Sequence, residues 1–169
     1  MTRNVILIGS FLLMLPALAH AQGPQNKPFG LGLALGEPTG ITGKYWFNRK
    51  NTLQFAAGWG YYPHGGGAIY CDYLYNVFTL VRAKKVSFNL LFYMGIGGKI
   101  GFWTEDYYYH HDHYDSGVSV GVRIPFGLTM VFPSAPFEVY LELVPGLAFI
   151  HPHPFWFDFD GCIGGRFYF

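Results

Sequence analysis

The chain has 169 residues, the size of one domain, and is 51% hydrophobic, 20% aromatic and only 12% charged, against roughly 25% charged in an ordinary soluble domain. Aromatics spread among 23 Gly and 11 Pro exclude disorder, and a net charge of +1 leaves no basic field to hold nucleic acid. Mean hydropathy is +0.20, yet past the N-terminus no apolar run approaches the ~18 residues of a transmembrane helix.

The first segment reads as an export signal. Arg3 supplies a positive start and Val5 to Leu15 is apolar apart from Gly9 and Ser10. Pro16 then leads into the small-x-small run Ala19-His20-Ala21, which predicts cleavage of residues 1–21 and a mature barrel over residues 22–169. The residue directly after the cleavage point is Gln22 and not a cysteine, so no lipid anchor is expected there.

From Phe29 onward the pattern has period two, the signature of strands with two unlike faces. Phe29, Leu31, Leu33 and Leu35 alternate with Gly30, Gly32, Ala34 and Gly36. Ile41, Gly43, Tyr45 and Phe47 oppose Thr42, Lys44 and Trp46; Leu53, Phe55, Ala57 and Trp59 oppose Gln54, Ala56, Gly58 and Gly60. The fourth strand, Ile69 to Val81, is less regular: Cys71, Tyr73, Tyr75 and Val77 share the apolar face and Asp72 and Asn76 the other. Phe88 to Ile96 alternates with Asn89, Tyr93 and Gly97, continuing to Lys99. Even-numbered Val118 to Phe132 oppose Ser119, Gly121, Arg123 and Thr129; Phe137, Val139, Leu141 and Leu143 oppose Glu138, Tyr140 and Glu142. Phe157, Phe159, Ile163, Phe167 and Phe169 oppose Asp158, Asp160, Gly164, Arg166 and Tyr168.

The eight predicted strands fit a soluble ring poorly. The face without bulky apolar residues is mostly small, with isolated charges, and would make a sparse polar exterior. Turned inward, the same face suits the narrow bore of eight strands, while the bulky face meets lipid. The expected fold is therefore all-β, an eight-stranded antiparallel up-and-down transmembrane β-barrel, whose closure pairs every backbone group. Connections agree with a periplasmic N-terminus. Asn48–Asn51, Arg82–Lys85 and Pro133–Pro136 are short inner turns; Gly36–Thr39, Tyr62–Ala68, Thr104–Ser116 and His151–Trp156 are outer loops. Aromatics near both ends, Trp46, Phe47, Phe132 and Phe169 on one side and Trp59, Tyr61, Phe102, Trp103, Phe155 and Trp156 on the other, are expected as interfacial girdles.

The runs Gly32–Trp46, Gly121–Leu128 and Gly164–Phe169 carry a resemblance. In order along the chain they resemble a family of small outer-membrane barrels of unknown function, similar in architecture to the transmembrane domain of OmpA. The resemblance implies outer-membrane lipid and lipopolysaccharide as surroundings. It also implies insertion by the barrel-assembly machinery, with the terminal Phe169 as assembly signal. It brings no activity and no catalytic residues.

Seven charged residues fall on the inward parity: Lys44, Asp72, Lys99, Arg123, Glu138, Glu142 and Arg166. Unpaired, each would cost several kcal/mol to bury, so pairing across the lumen is expected. Arg123 with Glu138 or Glu142, and Glu142 with Arg166, are the adjacent partners. Such a network reads as a structural plug or as a gated path for ions or small solutes.

The mature histidines all fall in predicted outer loops. His110, His111, His113, His151 and His153, beside Asp112 and Asp115, form a candidate Zn²⁺ or Cu²⁺ set without fixed motif spacing. The same loops also read as a contact surface for an extracellular ligand or protein. No cofactor and no enzyme activity are expected: Ser116 with His113 and Asp115 is the nearest approach to a nucleophile set. Cys71 and Cys162 lie on the fourth and eighth strands with opposite parity and are expected as free thiols.

Overall fold

The computed structural model describes residues 23–60, 66–82, 88–103, 107–109, 112–114, 117–150 and 153–169. Strand-forming residues recur along them as β1 (Phe29–Gly36), β2 (Thr39–Trp46), β3 (Asn51–Gly60), β4 (Gly66–Arg82), β5 (Asn89–Trp103), β6 (Tyr107–Tyr109), β7 (Asp112–Tyr114), β8 (Gly117–Arg123), β9 (Phe126–Val131), β10 (Phe137–Ile150) and β11 (His153–Tyr168). All but β6 and β7 belong to one antiparallel sheet, and β11 pairs with both β10 and β1, closing it into a ring. No helix among the described residues is long and apolar enough to cross a membrane, which says nothing of strands.

The ring has nine strands where alternation predicts eight. The sixth predicted strand is divided at Ile124-Pro125 because proline has no N–H for the ladder. Register does not slip there. Arg123 faces Gly97 and Gly146, and three residues on, Phe126 faces Met94 and Leu143. The gap is bridged where Gly95 N donates to Pro125 O at 2.8 Å and Ile124 N to Pro145 O at 2.9 Å.

β4 shows why its alternation is uneven. Its register with β5 shifts between Asn76 and Phe78 and again between Thr79 and Val81. Each extra residue resets the parity, so Val77 and Phe78 are both exposed. The predicted loop Thr104–Ser116 is also partly structured: β6 and β7 pair as a hairpin, with Tyr108 opposite His113.

Side chains separate by face. Leu33, Leu35, Ile41, Ile96, Val118, Leu141 and Phe157 point away from the centre and are 52–65% exposed, whereas Lys44, Gln54, Asp72, Glu138, Glu142 and Arg166 are 0% exposed. Glycines make room for inward rings. Tyr93 faces Gly127, Tyr140 faces Gly164 and Tyr168 faces Gly30 across the ladder, and a Cβ on any of the three glycines would meet the ring opposite. Gly164→Ala is expected to destabilise the ring by about 1–3 kcal/mol through overpacking against Tyr140. Urea unfolding followed by tryptophan fluorescence measures it, and shrinking the opposing ring with Tyr140→Leu in the same chain should return part of the loss.

Two turns are built by short polar side chains. At Gly36, where φ is +132°, Gly36 N donates to Thr39 Oγ1 at 3.0 Å and that hydroxyl donates to Gly36 O at 2.8 Å. Asn48 Oδ1 accepts from the backbone N–H of Lys50 at 2.8 Å and of Asn51 at 2.9 Å, the Asx arrangement that suits asparagine to tight turns.

Candidate functional site

The site with built chemistry is the interior of the ring. Register puts its charges there in sequence: Lys44 faces Gln54, Gln54 faces Asp72, Asp72 faces Gly97, Gly97 faces Arg123, and Gly146 links Arg123 to Asp158. This run winds round the bore as a polar band across seven neighbouring strands, β2 to β5, β8, β10 and β11.

Toward the end that holds the termini, Arg166 is the hub. Its Nη1 donates to Glu138 Oε1 at 2.7 Å, and its Nη2 donates to Thr42 Oγ1 and Gln54 Oε1, both at 2.7 Å. The guanidinium lies 3.9 Å from the centre of the Tyr140 ring. Lys44 reaches the other Glu138 oxygen at 3.5 Å, and Trp46 Nε1 donates to Tyr168 Oη at 2.9 Å. Gln54 Nε2 donates to Glu142 at 2.9 and 3.1 Å, and Tyr93 Oη donates to Glu142 Oε2 at 2.7 Å.

Farther along the bore, Arg123 takes over. It pairs with Asp72 at 3.1 Å, Asp160 at 3.2 Å and Glu142 at 3.4 Å, and sits 3.8 Å above the Tyr70 ring. Lys99 then bridges Asp160 at 2.8 Å and Asp158 at 2.9 Å. Glu142 joins the two halves, since Gln54 and Arg123 both bind it. Arg123, Arg166, Tyr70, Tyr93, Tyr140 and Tyr168 are each at most 2% exposed, so they occupy the bore rather than line it. Multiple charge-assisted hydrogen bonds are what make such burial tolerable.

All seven inward charges predicted from parity are in this network. The pairing of Arg123 with Glu142 is present. Arg166, however, binds Glu138 and not Glu142, because Glu138 is its direct cross-strand neighbour. Two acids were missed, Asp158 and Asp160, which share the parity of Arg166 on the same strand. They change the expected balance of four bases against three acids into four against five. Trp46, expected in an interfacial girdle, turns inward and is 3% exposed, while Trp59, Phe102 and Phe155 do face outward.

The remaining candidates are placed as follows. His110, His111 and His151 lie outside the described residues, as does the signal segment. His113 is on β7 and His153 on β11, opposite Ile150, as far as backbone goes. Among the described residues no group of three His, Cys, Asp or Glu side chains is placed to hold a metal ion. Ser119 points inward and Ser134 is exposed in its turn; Ser87 and Ser116 fall outside the described residues. Cys71 is exposed, Cys162 buried, and both are free. Phe169 is 61% exposed, and its N–H donates to Phe29 O at 2.8 Å, which ties the last residue to the ring.

No described family, curated protein or solved structure matches the chain.

Proposed function

We propose that the chain is an eight-stave outer-membrane β-barrel with a closed lumen, acting as a structural scaffold that displays its loops at the cell surface. Because β8 and β9 share both neighbours in one register, they count as a single stave. Carried round the ring from Gly30, the ladder passes Lys44, Gln54, Asp72, Gly97, Arg123, Gly146 and Asp158, and the β11–β1 register returns it to position 40, ten residues displaced. That stagger over eight staves corresponds to a strand tilt of about 40°, ordinary for closed barrels.

The observation that carries the proposal is the inverted distribution of polarity. A bulky apolar shell faces out and a paired ionic core faces in, the arrangement lipid demands of strands. Lipid and lipopolysaccharide are then the surroundings, and Phe169 is offered to the barrel-assembly machinery as the terminal signal of the family the chain resembles. The filled bore supports a scaffold over a channel. The mature chain is expected to need detergent for solubility, to migrate differently on gels before and after boiling, and to give no single-channel steps in planar bilayers. A monodisperse chain in plain buffer would overturn the membrane assignment, and reproducible conductance steps would overturn the closed lumen in favour of a narrow channel.

A further inference from the structure

We infer that the end of the ring beside the termini is a binding site for a short acidic peptide. A cavity of about 580 Å³ opens there, within the size range of ordinary ligand pockets. Its described wall carries two cations, Arg49 and Lys50, four carboxamides, Gln25, Asn26, Asn76 and Asn89, and no carboxylate. Guanidinium and ammonium groups select carboxylates, and carboxamides supply both partners a peptide bond needs.

Asn76 makes this a built surface. It is 5% exposed, its Nδ2 donates to Arg49 O at 3.2 Å and its backbone N–H to Lys50 O at 2.7 Å. One residue therefore holds the cationic turn at the mouth. Its Oδ1 is buried and has no hydrogen-bond partner among the described residues. The segment before β1 forms another part of the wall. Gln25 and Asn26 have φ of 54° and 61°, a left-handed conformation uncommon outside glycine. The turn is held by Asn26 N donating to Gly23 O at 2.9 Å and Lys27 N donating to Pro24 O at 3.1 Å.

A sugar would seek an open aromatic face inside the mouth, and the inward ring here is engaged, while Phe78 is 51% exposed on the outward side of the ladder. Trp46 is 3% exposed with Lys44 Nζ 4.9 Å from its ring, and Phe78 stacks on Phe92 at 5.2 Å. Access from the periplasm rests on the outer-membrane reading; the pocket itself does not.

The test uses the mature chain in detergent micelles and fluorescence anisotropy of fluorescein-labelled Ala-Glu-Ala-Glu. Its neutral analogue Ala-Gln-Ala-Gln amide and tetra-N-acetylglucosamine serve as comparisons. The acidic peptide is expected to bind about tenfold or more tightly than the neutral one, and the exposed double change Arg49→Gln with Lys50→Gln to remove that preference. Asn89→Ala, clear of the turn, should weaken binding about threefold. No binding, equal affinity for the two peptides, an unchanged double variant, or displacement by the sugar would each overturn the proposal. Because binding is read in micelles, its failure leaves the gel-shift and conductance results untouched, and their failure leaves it untouched.

Discussion

Arg123→Met is expected to cost the folded ring about 3–5 kcal/mol, the usual penalty for removing one side of a buried ionic cluster. The reason lies in what each acid retains. Without the guanidinium, Asp160 still has Lys99 and Glu142 still has Gln54 and Tyr93. Asp72, 0% exposed, loses its ion pair at 3.1 Å. The penalty should therefore be concentrated on one carboxylate, and the double change Arg123→Met with Asp72→Leu should recover most of it, since a buried pair replaced by apolar groups is often neutral. Urea unfolding of the single and double variants in detergent, read by tryptophan fluorescence, closes the cycle. A single variant within 1 kcal/mol of the parent would show that the cluster contributes little to stability.

The face taken by most side chains was legible from alternation because a period of two needs only local residues. Parity alone located Lys44, Asp72 and Arg166 inside and Leu33, Leu141 and Phe157 outside. It failed wherever a local event interrupts the count. The shifts at Asn76/Phe78 and Thr79/Val81 depend on how β4 meets β5, which no reading of β4 by itself contains. Pro125 signals a missing donor but not whether the ladder resumes in register. Trp46 shows a different limit: its parity pointed inward and its residue type pointed to an interface, and the hydroxyl of Tyr168 decided between them. Pair identity in the lumen needs cross-strand register, so Glu138 rather than Glu142 emerges as the partner of Arg166 only once β10 and β11 are aligned. The cavity at the termini end was not legible at all, because its wall combines four carboxamides from three distant parts of the chain: Gln25 and Asn26 before β1, Asn76 on β4 and Asn89 on β5.

A depth-resolved substitution separates a lipid-facing shell from a wet one. Leu141 stands near the middle of the outward row of β10, flanked by Leu128 and Ile163, and is 52% exposed. In water, arginine at such a half-exposed surface position would change stability by no more than about 0.5 kcal/mol. At the centre of a bilayer the same change costs about 2–4 kcal/mol, falling to about 0–1 kcal/mol near an interface. Leu141→Arg is therefore expected to be far more damaging than Trp59→Arg, although Trp59, toward the opposite end from the termini, is the more exposed at 75%. Exposure alone predicts the reverse order or no difference, so the ranking discriminates more sharply than either value. Urea titration of both variants folded into phosphatidylcholine vesicles gives the two costs on one scale. Equal costs would mean that the outward face meets water, and the apolar shell would then need a protein partner rather than lipid to cover it.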